Sequence, residues 1–321
     1  MIRRYLALLF LLSPLFCLAN DQAPTVKPAT LALSHVTVID TTGGPIKPDM
    51  TVVITGNRIV EVAKSNGIRV PKNAETVNAT GKFLIPGLWD MHVHWYEKDY
   101  LPLFIANGVT GTRQMNGVTM FQQWRKQIEA GELLGPHILI PSPIVDGPKP
   151  VWPGSIAVAN ASQARQAVIQ VKQAGADFVK VYSLLPRDAY FAIADESKKQ
   201  GIAFEGHVPD SVTLEEASDA GQMTVEHLTG VLAACSSHEE ELLKSAQERV
   251  VATNAGLSSS PRFAGPEFRA RQTLALETYS PQKAEAVFGE LKRNHTWNAP
   301  HSRSCAAWHI LTILRSPAIP G

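Results

Sequence analysis

Residues 83 to 94 read Phe-Leu-Ile-Pro-Gly-Leu-Trp-Asp-Met-His-Val-His. Phe83 to Ile85 is a short apolar run with strand character, and Pro86-Gly87 is a turn signal. Leu88 to Val93 is apolar again, with Asp90 and the histidines set into and just after it. Side chains alternate along a strand, so His92 and His94 share a face and Val93 takes the other. Two imidazoles on one face, one residue apart, can reach a single metal ion, and neutral imidazole suits zinc and similar divalent ions. A lone His-x-His also arises by coincidence. The rest of the chain has to decide.

The 321 residues suffice for one large domain or two smaller ones. Hydrophobic residues make up 45% and charged residues 18%, the composition of an ordinary globular protein. A net charge of +1 points to neither nucleic acid nor an anionic membrane as partner.

Residues 1–19 read as a secretory signal. Arg3 and Arg4 precede an apolar run from Tyr5 to Phe16, too short to span a bilayer, and Cys17-Leu18-Ala19 offers small residues for cleavage. The expected product is periplasmic or secreted, with no membrane attachment after cleavage. Cys235 and Cys305 then remain and do not form a disulfide framework. Residues 20–30 read as a flexible mature N-terminus.

Leu31 to Asp40 alternates as a strand does, and Met50–Thr55 and Arg58–Val62 flank a Gly56-Asn57 hairpin signal. From Leu88 the pattern becomes strand, then helix, repeated, which argues for βα units on a parallel sheet. Strands are expected at Leu88–Val93, Gly111–Met115, His137–Pro141, Phe178–Tyr182, Ile202–His207 and Met223–His227. Ser142–Gly154 reads as a long loop, and helices are expected beyond strand six at Glu239–Ala255 and Pro281–Asn294.

The chemistry-bearing residues fall at the C-terminal ends of these strands, where barrel active sites sit. Lys180 shares a strand face with Phe178 and Tyr182. An inward lysine is costly unless it is neutralised or meets a carboxylate. His207 closes strand five and His227 closes strand six. Tyr182 reads equally as a substrate contact and as a packing tyrosine. Arg113, ending strand two, reads as an anion contact for substrate or as a structural ion pair. His137 starts its strand, the wrong end for catalysis, and Trp95 is expected to shape the pocket wall.

The Pro-Gly-Leu-Trp-Asp-Met-His-Val-His run, with Lys180, His207 and His227 following in order, resembles the amidohydrolase superfamily. The wording is similar to its secreted branch around imidazolonepropionase and Xaa-Pro dipeptidases. The resemblance covers Leu31 to His227. It implies an α/β fold: a TIM-like barrel beside a small N-terminal β-sandwich segment, residues 31–86, with the barrel from 87 to 297. It implies His92, His94, Lys180, His207 and His227 as metal ligands, with Lys180 carbamylated and bridging two zinc ions. It further implies hydrolysis of a C–N amide bond by metal-bound hydroxide. The partner is then a small amide, a dipeptide or an N-acyl amino acid, and not nucleic acid.

The family pattern breaks after strand six. Family members use a strand-eight aspartate to move the proton, and no aspartate follows Asp219 here. An incomplete barrel of about six of the eight strands is therefore expected, with no catalytic residue to name. Residues 298–321 read as an aberrant tail, as one base lost at codon 298 would produce. Low or no activity follows. The alternatives are a non-catalytic metal-binding remnant and a secreted binding protein.

Overall fold

The computed structural model describes residues 29–258 and 265–300. The expected signal segment, nearly all of the expected flexible N-terminus, Cys305 and residues 301–321 of the expected tail lie outside the described residues. The chain divides into two compact units, Met1–Pro86 and Gly87–Gly321.

The first unit holds β1 (Thr30–Val38), β2 (Lys47–Thr55), β3 (Arg58–Lys64), β4 (Glu75–Asn78) and β5 (Phe83–Leu84). The first three form an antiparallel meander, and β4 and β5 pair parallel with β1. Gly56-Asn57 makes the turn between β2 and β3, as their dipeptide signal predicts. Val36, Met50, Val52 and Ala79 pack into a small core. The described residues build one five-stranded mixed sheet here. A second, facing layer of a sandwich is not among them.

The second unit begins with β6 (Leu88–Val93), α1 (Tyr100–Ala106), β7 (Val109–Gln114), α2 (Met120–Glu129) and β8 (His137–Leu139). It continues with β9 (Val145–Asp146), β10 (Ile156–Ala157), α3 (Ala161–Gln173), β11 (Phe178–Val181), α4 (Arg187–Gln200) and β12 (Ala203–Gly206). Then follow α5 (Leu214–Asp219), β13 (Thr224–Glu226), α6 (Val231–Ala234), α7 (Glu239–Asn254), α8 (Pro266–Glu277), α9 (Pro281–Arg293) and β14 (Trp297–Ala299).

Strands β6, β7 and β8 pair parallel. A parallel bridge from Pro141 to Phe178 carries the pairing on to β11, and β12, β13 and β14 follow in turn. Seven parallel strands thus lie side by side in chain order, the arrangement of a TIM-like (β/α) fold. Arg113 on β7 bonds to Glu205 on β12 and Glu226 on β13. The sheet therefore curls until strands far apart along it share one interior.

Val179, Val181, Phe204 and Val225 meet Val168, Ile193, Val287 and Leu291 from the helices in the main apolar core. Local signals start and stop these helices. Asn160 caps α3 by accepting from Gln163 N–H, Thr213 and Glu216 form a capping box on α5, and Gly201 ends α4 at φ +60°.

Three expectations need correction. The expected loop at 142–154 contains β9, whose Val145 pairs with Val181 at the end of β11. Two-residue strands between prolines leave no periodicity to read. The helix α8, with Pro266 in its first turn, was not expected. Most consequentially, the parallel sheet has a seventh member where six strands are expected. Residues 297–299 pair in register with 224–226, and 298 and 299 belong to the segment read as an aberrant tail. Strand pairing uses main-chain groups, so Trp-Asn-Ala can fill the place without a strand-like pattern. No helix among the described residues is long and apolar enough to cross a membrane.

Candidate metal and catalytic site

His92 and His94 stand at the end of β6, His207 just after β12 and His227 just after β13. The four rings form a contact chain. Centroids lie 5.1 Å apart for His94–His92, 4.3 Å for His92–His227 and 5.1 Å for His227–His207. Tyr182 extends it, its ring 4.0 Å from that of His207.

Side-chain partners orient His92 and His207. Glu226 Oε2 lies 2.6 Å from His92 Nδ1. A carboxylate only accepts, so Nδ1 carries the hydrogen and Nε2 keeps its lone pair in the neutral ring. His207 Nδ1 is 2.9 Å from Ser183 Oγ. His92 Nε2 and His94 Nε2 face one another at 3.2 Å. With metal–nitrogen bonds of about 2.1 Å, nitrogens so spaced subtend roughly 100° at a shared ion, near the tetrahedral angle. This pair and its oriented ring fit a divalent cation. As the side chains stand, no three His, Cys, Asp or Glu side chains among the described residues close on one point as ligands.

Backbone strain marks the same place. His227 and Leu228 have φ of +56° and +58°, a conformation that non-glycine residues rarely adopt. His227 N–H donates to Ala299 O at 3.1 Å, so β14 helps to hold it.

Below the histidines runs a buried charged network. Arg113 donates to Glu205 Oε2 at 2.6 Å, Glu226 Oε1 at 2.5 Å and Thr224 Oγ1 at 3.0 Å. Burial, joined by the negative charge of Glu226, raises the Glu205 carboxyl against the opposing pull of Arg113 and Lys180. Burial also acts to raise Glu226, but the hydrogen bond from His92 and the positive charges of Lys180 and Arg113 outweigh it and leave Glu226 at about 2. Lys180 is buried on β11 and its charge acts on both carboxylates.

Arg113 is thereby corrected as a substrate contact. Its guanidinium is bound up in the interior, 2% exposed, which is the ion-pair alternative. Tyr182 borders the histidines, and its hydroxyl accepts from Trp152 Nε1 at 2.8 Å. Trp95 does not line the site; it packs with Phe121 and Trp124 at 4.9 and 5.6 Å. His137 packs edge-on to Trp89. A cavity of about 190 Å³ opens beside His227, its lining including Val212, Leu232, Leu242 and Phe268 together with Asp210 and Arg271.

Glu226, Glu205 and Ser183 were not singled out from sequence. One signal was available: Thr-Val-Glu-His and Phe-Glu-Gly-His each set a carboxylate into an apolar strand, where only a partnered charge survives burial.

No protein-family model matches the chain. It is 32% identical over 84 residues to adenine deaminase of Rubrobacter xylanophilus, a stretch covering 25% of this chain and 14% of that protein. The matched stretch is thus about one seventh of that relative's length. Among solved structures, a putative prolidase from Bifidobacterium longum aligns over 82% of this chain and 84% of its own, with TM-score 0.53 and 22% identity. A Xaa-Pro dipeptidase with bound methionine in the active site aligns over 90% and 85%, with TM-score 0.58 and 16% identity. What these structural likenesses define is the fold: the chain shares the (β/α) architecture of the prolidase and the Xaa-Pro dipeptidase.

Proposed function

We propose that this chain is an exported metal-dependent hydrolase of a small C–N amide, of the dipeptide or N-acyl amino acid class. The observation that carries the reading is the meeting of His92, His94, His207 and His227 from three strand ends, with two His Nε2 atoms 3.2 Å apart. These four and Lys180 would hold the metal, two zinc ions in the full set, with Lys180 carbamylated. A bound divalent ion supplies an activated water and polarises a carbonyl.

The chain's own groups do the rest. Glu226 fixes the hydrogen on His92 Nδ1, and Ser183 engages His207. Tyr182 is placed to meet a substrate oxygen. The largely apolar cavity beside His227, with Asp210 and Arg271 also in its lining, is suited to a small substrate's hydrocarbon part. The putative prolidase and the Xaa-Pro dipeptidase among the structural neighbours support the amide class.

Within these residues no aspartate follows Asp219 to carry the proton to the leaving nitrogen. General acid–base help is worth about a hundred- to ten-thousand-fold, so slow turnover is the expectation for these residues alone. The test is to assay the zinc-loaded chain on a panel of dipeptides and N-acyl amino acids. Slow hydrolysis that disappears with chelator or with His92→Ala supports the reading. Chelator-insensitive hydrolysis, or none on any substrate, counts against it.

A further inference from the structure

Strand β6 carries His92 and is not regular. Between the pairs Asp90–Thr112 and Val93–Gln114, three steps along β6 match two along β7. This is a bulge with one extra residue, a device that re-aims a side chain and takes a backbone group out of the ladder. Arg113 Nε donates to the carbonyl of Met91, inside the bulge, at 2.8 Å. The same guanidinium holds Glu226 Oε1, and Glu226 Oε2 takes His92 Nδ1. One arginine and one glutamate therefore grip the bulge twice, at its backbone and at its imidazole.

We infer that Arg113 and Glu226 are the positioning residues of the His-x-His strand: they fix the bulge and keep the lone pair of His92 on Nε2, facing His94. Its consequence for metal binding rests on the function proposed above. A structural ion pair alone does not require this arrangement. Arg113 and Lys180 balance the charges of Glu205 and Glu226, but charge balance alone leaves the second oxygen of Glu226 to be satisfied. Here that oxygen goes to the ring.

Glu226→Gln makes a sharp test. Arg113 and Thr224 both donate to Oε1, so the amide turns its oxygen to them and its NH2 to His92. That forces the hydrogen of His92 from Nδ1 to Nε2. Glu205→Gln is the control, since it removes a buried carboxylate from the same arginine without touching His92.

In the metal-free full chain, histidine-ring 1H–15N spectra report the tautomer, with His92 signals identified by their loss in His92→Ala. The parent and Glu205→Gln should show Nδ1–H, and Glu226→Gln should show Nε2–H. Titration with Co2+, followed by visible absorption, should show affinity 10- to 100-fold weaker for Glu226→Gln, the usual effect of losing such a partner, and unchanged for Glu205→Gln. If Glu226→Gln does not fold by circular dichroism, Glu226→Asp, which keeps the charge but shortens the reach to His92, should show the same weakening. An unchanged His92 tautomer in the glutamine variant, or in its place unchanged Co2+ affinity in Glu226→Asp, overturns the inference, as does equal loss of cobalt in the Glu205 control. If the parent binds no Co2+, the metal reading fails, while the tautomer comparison still decides the positioning claim.

Discussion

Gly206 lies between Glu205 and His207 with φ of +139°, and a Cβ built on it would meet Val181 O at 2.2 Å. Only glycine lets β12 approach β11 so closely before delivering His207. Gly206→Ala is therefore expected to cost at least about 1–3 kcal/mol, the range for a strained backbone site, read as a lower urea midpoint. Glu215, opening α5, gives a pH prediction. Burial, then the negative charges of Glu239 and Glu290, raise its carboxyl to about 7 from 4.5. Below 4.5 both folded and unfolded chains hold the proton. Between 4.5 and 7 only the unfolded chain releases it, so stability falls as pH rises through that window. Glu215→Gln should raise the Tm at pH 8 and leave it nearly unchanged at pH 4. At this scale His92 and His94 were legible from their shared strand face, and His207 and His227 from their order in the amidohydrolase resemblance. Glu226 was not, because a glutamate beside a histidine reads the same on a surface as in an interior, and only the fold shows that Arg113 awaits it.

At the scale of elements, the seven parallel strands put their ends where the histidines can meet. β14 is the instructive one. Trp297 N–H donates to Met223 O at 2.9 Å, while the indole is 72% exposed. Trp297→Pro thus removes a backbone donor and little packing. It should lower stability by about 0.5–1.5 kcal/mol, the net worth of one hydrogen bond. It should also weaken metal binding, because Ala299 O accepts from His227 N–H. Trp297→Ala, which keeps the N–H, should do neither; thermal melts and Co2+ titration of both variants check this. Helices with caps and apolar faces were legible, as α3, α4 and α9 show. The bulge in β6 was not. Strict alternation already puts His92 and His94 on one face, so the sequence gives no hint that an extra residue and an arginine hold them there.

Across the whole molecule, the (β/α) fold expected from the resemblance carried by Phe83–His94 is the fold of the structural neighbours. What composition and pattern could not convey was the interior itself. In a barrel core Val, Ile and Leu dominate the inward layers, whereas here Arg113, Lys180, Glu205 and Glu226 are buried together. Such a set is retained only when every charge is partnered, and its upper edge is the histidine cluster. The account therefore stands on the cluster holding a metal. The direct test is zinc content of the dialysed full chain, with X-ray absorption of the bound ion, compared between parent and His92→Ala. The account predicts near-stoichiometric zinc in the parent, ringed by imidazole nitrogens at about 2.0–2.1 Å, and substantially less in the variant. Equal zinc in the two chains, or none retained by the parent, would contradict it.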